Sequence, residues 1–97
     1  MASFITLGNF THQGISDIKG SPERVKATRE LAKSCGVEMK EFYLTMGAYD
    51  FALLIEAPSD QAVTGFALAL GSLGNSRTTT LKAFTESEFG DIVKSLP

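Results

Sequence analysis

A chain of 97 residues has room for one domain, spanning residues 1–97, and not for two. Hydrophobic residues make up 43% and charged residues 21%, the composition of a chain that folds around a core. The net charge is −2, with nine Lys and Arg spread along the length, so there is no basic run to track a nucleic-acid backbone, and no apolar run approaches the ~20 residues of a membrane-spanning helix.

Phe4 to Phe10 predicts a first strand. Phe4 and Phe10 fall on one parity and Ile5 and Leu7 on the other, as in a strand covered on both faces. Thr11 to Gly20 reads as a polar loop. Ser21 is placed to cap a helix, with Pro22 and Glu23 suited to its first turn. Val25, Thr28, Leu31, Ala32 and Cys35 form its buried stripe, and Gly36 ends it. Arg24, Lys26, Arg29 and Lys33 alternate with Glu23 and Glu30 and read as a solvated helix face.

Glu38 to Met46 predicts a second strand, with Phe42, Leu44 and Met46 on one face and Met39, Glu41, Tyr43 and Thr45 on the other. Gly47 to Asp50 is a turn, and Phe51 to Ala57, apolar except at Glu56, is a central third strand; the short link makes a hairpin. Ser59 and Asp60 open a second helix whose Val63, Phe66, Ala67, Leu70 and Leu73 face inward, and Gly74-Asn75 ends it. Thr78 to Thr85 is a threonine-rich fourth strand. Thr85 and Glu88 have capping-box spacing and predict a short terminal helix with Phe89, Ile92, Val93 and Leu96 along one side.

This order, βαββαβ, specifies an α+β ferredoxin-like sandwich with an antiparallel four-stranded sheet in the order 4-1-3-2, plus a short C-terminal helix. Two helices cover one face of such a sheet, and the other would expose apolar side chains. Pairing with a second copy, as a homodimer, is the simplest remedy; the competing arrangement lays the terminal helix over that face. The single Cys35 allows no internal disulfide, and Met1-Ala2-Ser3-Phe4 lacks the basic segment and cleavage site of a secretory signal, so a cytoplasmic location is expected.

Three stretches resemble one family. Gly47-Ala48-Tyr49-Asp50 resembles the Gly-x-Tyr-Asp signature of GYD domains. Thr11 to Pro22, with Gln13, Gly14, Ile18 and Ser21, resembles the segment after their first strand, and Gly74 to Thr78 with Thr80 to Phe84 resembles the end of the domain. The likeness runs from about residue 4 to residue 88 and implies a fold similar to dimeric α/β-barrel proteins. It brings no established catalytic residues.

The candidate site residues are His12, Gln13, Tyr49, Asp50, Arg77 and Thr78. His12 is the only histidine and the natural general base near neutral pH. Tyr49 is a potential proton donor, and Asp50 is suited to binding backbone N–H groups at the turn. Arg77, beside a run of three threonines, suits a carboxylate or phosphate. One His and one Cys give no zinc spacing, no glycine-rich phosphate loop is present, and no serine has a nucleophile-elbow context, so neither metal nor cofactor is expected. The expected topology puts His12, Gln13 and Arg77 at one end of the sheet and the Tyr49–Asp50 turn at the other. These features favour small-molecule binding in a cavity at the sheet face. The alternatives are a cofactor-free oxygenase or isomerase using His12 or Tyr49, and an oligomerisation or regulatory module without a ligand.

Overall fold

The computed structural model describes residues 1–97. The elements are β1 (Ala2–Phe10), α1 (His12–Ser16), a 3-10 turn (Ile18–Gly20), α2 (Ser21–Ser34), β2 (Glu38–Leu44), β3 (Phe51–Ala57), α3 (Asp60–Ser72), β4 (Ser76–Ala83) and α4 (Glu86–Lys94). The sheet order is β2-β3-β1-β4 with every pair antiparallel, the expected 4-1-3-2 order read from the other edge. The stretch between β1 and α2 is helical and not a loop: Thr11 caps α1, its side chain accepting from Gly14 N. Gly20, not Ser21, is the residue before α2. β4 begins two residues earlier than expected, so Arg77 lies within it.

One face of the sheet carries Phe4, Thr6 and Gly8 of β1 against Ile55, Leu53 and Phe51 of β3. Helices α2 and α3 cover it with Ala32, Val63, Phe66 and Leu70, and Phe66, Leu53 and Ile55 are each 1% exposed. Truncating such a residue as Phe66 to Ala costs about 3–5 kcal/mol. Thr6 is a buried polar member of this layer, and its hydroxyl lies 3.0 Å from that of Thr80.

β2 departs from strict alternation. Its register against β3 slips between Met39 and Glu41, leaving Lys40 as the extra residue of a bulge. Met39, opposite Ile55, therefore shares the helix-covered face with Phe42, opposite Leu53. The expected alternation put these two on different faces; the bulge is the reason it fails. β2 also ends at Leu44, and Met46 is exposed.

The opposite face has no covering element. Ile5 and Leu7 lie there beside Ala52 and Leu54 of β3, Leu81 of β4 and Tyr43 of β2. Tyr43 is 52% and Leu81 46% exposed. The terminal helix does not lie over them. Phe89, Ile92, Val93 and Leu96 of the C-terminal segment all stand exposed, and the molecule measures 52 × 30 × 17 Å. Its radius of gyration, 14.6 Å, exceeds the ~12.5 Å of a compact chain of this length because α4 stands off the body.

α4 starts from a complete capping box. Thr85 N donates to the Glu88 carboxylate at 2.8 Å, and Glu88 N donates to Thr85 Oγ1 at 3.1 Å. The Thr85 backbone bond holds the Glu88 carboxyl below its ordinary range. A depressed carboxylate pKa stabilises the helix above the unfolded value, and that contribution is lost as pH falls through the folded value. Protection factors of the Phe89–Val93 amides, taken against the intrinsic exchange rate at each pH, are therefore expected to fall on acidification through the carboxylate range, and Glu88→Gln to flatten the response; equal pH dependence in both proteins would contradict this.

Candidate functional site

Antiparallel pairing decides where the candidate residues meet. β1 and β2 both run against β3, so they point the same way, and the turn after β2 lies at the end where β1 finishes. The expected separation of Tyr49 and Asp50 from His12 and Arg77 is thus corrected: all of them lie at one end of the sheet.

Asp50 ties the turn to β1. Its N–H donates to Gly8 O at 2.8 Å, and Phe10 N donates to Asp50 Oδ2 at 2.9 Å. The carboxylate thereby satisfies a β1 donor beyond Gly8, the last residue of β1 paired with β3. Thr45 closes the turn from the other side, its N–H donating to Asp50 O at 2.8 Å and its hydroxyl to Tyr49 O at 2.6 Å.

A second tie joins the β1–α1 segment to the α3–β4 turn. Thr11 N donates to Asn75 O at 3.1 Å and Thr11 Oγ1 to Gly74 O at 2.6 Å. Gln13 Nε2 donates to Leu73 O at 3.1 Å and to Asn75 Oδ1 at 3.0 Å. The backbones approach so closely at Gly14 that an added Cβ would lie 2.0 Å from Asn75 O. Arg24 locks the far side. Its guanidinium donates to Gly14 O at 2.8 Å, to Ser21 Oγ at 3.0 Å, to Asp17 O at 2.7 Å and to Asp17 Oδ2 at 3.2 Å. The solvated face expected for this residue is replaced by a staple; the motif showed a charge on a helix and not what the preceding turn would offer it.

The remaining candidates do not converge. His12 is the exposed first residue of α1, and Tyr49 is 39% exposed; no titratable side chain hydrogen-bonds to either. Arg77 pairs with Asn9 on the open face, whereas Thr78 pairs with Gly8 on the helix-covered face, so the two point to opposite sides of the sheet. No group of three His, Cys, Asp or Glu side chains could hold a metal ion.

Beside the tied end, α2 stands away from the sheet and leaves a cleft of about 290 Å³. Its apolar walls include Phe10, Phe42, Phe51, Met39, Val25 and Leu73. Phe51 lies across Gly8, where a side chain would overlap the ring, and stacks on Phe42 at 5.9 Å between centroids. A glycine inside an apolar strand signals such a close approach, and that signal went unused in the sequence.

The GYD domain family matches residues 4–93. The chain belongs to the GYD domain family. A Thermus thermophilus relative, the glutamine synthetase and cystathionine beta-lyase binding protein, is 36% identical over 84 residues, covering 86% of this chain and 88% of the relative. A crystal structure of a Thermus thermophilus protein superposes with a TM-score of 0.58 at 23% identity, over 88% of this chain and 95% of that one, and agrees in fold. In this GYD domain the Thr11–Pro22 and Gly74–Thr78 stretches touch each other through the second tie, and the Gly47–Asp50 turn is tied to Gly8 and Phe10 of β1.

Removing either tie is expected to destabilise the fold without touching the core. Asp50→Ala leaves Phe10 N without its acceptor and should lower unfolding free energy by about 1–3 kcal/mol. Gly14→Ala forces the two backbones apart at a comparable cost of about 1–3 kcal/mol. Urea denaturation reads both, and an unchanged midpoint for either would show that its tie is not structural.

Proposed function

We propose that this GYD domain is a docking module: it pairs with a second copy through its open sheet face and holds a partner enzyme through the apolar stripe of α4. The observation that carries the reading is the pair of uncovered apolar surfaces on so small a domain. Ile5, Leu7, Leu54, Leu81 and Tyr43 form one. Phe89, Ile92, Val93 and Leu96 form the other. Contiguous exposed apolar patches mark interaction surfaces, and a flat four-stranded face is self-complementary about a two-fold axis. An amphipathic helix standing clear of its domain suits insertion into an apolar groove.

The relative's name supports partners that are enzymes, and glutamine synthetase and cystathionine beta-lyase are the partners to try first. A dimer would present two α4 stripes, so a multisubunit enzyme would be gripped twice and the second contact would gain from effective concentration. Asn9 and Arg77, neighbours on the open face, favour a second reading in which a small anionic molecule is enclosed between paired sheets.

Light scattering coupled to size exclusion is expected to give roughly twice the 10.4 kDa chain mass, and Leu54→Asp to give the monomer. Titration against purified glutamine synthetase and cystathionine beta-lyase of the same organism should show saturable binding to at least one, lost in Phe89→Ala/Ile92→Ala while the dimer persists. A monomeric wild-type chain would remove the pairing; no binding to either enzyme would remove the proposed partners.

A further inference from the structure

The cleft between α2 and the sheet is separate from both docking surfaces, and its lining includes a largely buried hydroxyl without a hydrogen-bond partner. Ser76 is only 8% exposed, lines the cleft on the helix-covered face opposite Phe10, and its hydroxyl takes part in none of the chain's side-chain hydrogen bonds. It is not sealed off, since no buried side-chain oxygen or nitrogen of the protein is left both fully inaccessible and unbonded. The hydroxyl therefore opens onto the cleft. Water in the cleft can serve that hydroxyl in the free protein, and a bound molecule with its own hydrogen-bonding group would take the water's place.

We propose that this cleft is a binding site for a neutral, flat molecule of about two fused aromatic rings carrying one hydrogen-bonding group, which Ser76 would engage. Three observations set that class. The volume, about 290 Å³, is about twice the ~150 Å³ of a protein cavity that holds one benzene. The walls are aromatic: Phe10 and Phe51 lie 5.6 Å apart at a 43° tilt, and Phe42 stacks on Phe51, a geometry that admits a further ring by offset stacking. The charge at the mouth is already neutralised, because Arg24 donates to the Asp17 carboxylate and to two backbone carbonyls. An acyl carboxylate would find no uncommitted cation there, so a neutral ligand is favoured over a fatty acid.

The test uses indole and 2-naphthol as probes, with octanoate as the charged comparison, followed by calorimetry and amide chemical shifts. Expected is saturable binding of at least one aromatic probe with a Kd below about 1 mM. Shift changes should centre on Phe10, Val25, Phe42, Phe51 and Ser76. Ser76→Ala should weaken binding by roughly 2- to 10-fold, the range of a single hydrogen bond. Leu73→Trp, placed at the exposed rim and outside the core, should abolish it, while Leu54→Asp on the open face leaves it unchanged. The proposal is overturned if neither aromatic probe saturates, if octanoate binds more tightly than both, or if Leu73→Trp binds as well as the wild type. Loss of binding in Leu54→Asp would move the site to the sheet pair, and survival of cleft binding when enzyme docking fails keeps the two proposals distinct.

Discussion

Two helices cannot cover both faces of a four-stranded sheet, and most of this molecule's behaviour follows from that constraint. The sheet carries apolar side chains on both faces, with Ile55 and Leu53 under the helices and Leu54 and Ile5 on the far side. A 97-residue chain has a limited core, here eleven buried hydrophobic residues, and it leaves a second apolar layer uncovered. The terminal helix, α4, points away. An apolar face kept in water carries an unfavourable hydration free energy that association relieves. The pairing proposed above would bury that layer.

The stretches that mark the family have a physical role in this architecture. Asp50 completes the hydrogen bonding of β1 at Phe10, and Thr11, Gln13 and Gly14 bind the Gly74–Asn75 turn. These are backbone ties, made where the sheet ends and where strand partners run out. Arg24, in the first turns of α2, is held to the same α1 segment by its bond to Gly14 O. The cleft lined by the phenylalanines of β1, β2 and β3 opens beside these ties, with Arg24 and Asn75 among its lining residues.

Much of the fold was legible in the residues. Alternation on both parities of β1 and β3 announced a sheet with two apolar faces, and the Thr85–Glu88 spacing announced the cap of α4. The bulge at Lys40 was not legible, because Met39 and Phe42 obey no simple period and only pairing with β3 shows the slip. The placement of the turn was derivable yet misassigned. A right-handed crossover makes β1 and β2 parallel, and that alone puts Asp50 beside Phe10. Of the candidate residues, Asp50 acts as its type and position suggested, binding a backbone N–H. Gln13 serves the tie to the Leu73–Asn75 turn. Arg77 and Thr78 were adjacent in sequence and so point to opposite faces. The cleft was invisible because it arises from the stand-off of α2, a distance no local pattern encodes; Gly8 and Ser76 were its only local signs.

The central claim is that the open face is buried against its counterpart in a second copy. Isotope-filtered nuclear Overhauser measurements on a mixture of labelled and unlabelled chains test it most directly. The account predicts intermolecular contacts among the side chains of Ile5, Leu7, Leu54 and Leu81. A spectrum without intermolecular contacts at those side chains, unchanged on dilution, would contradict it.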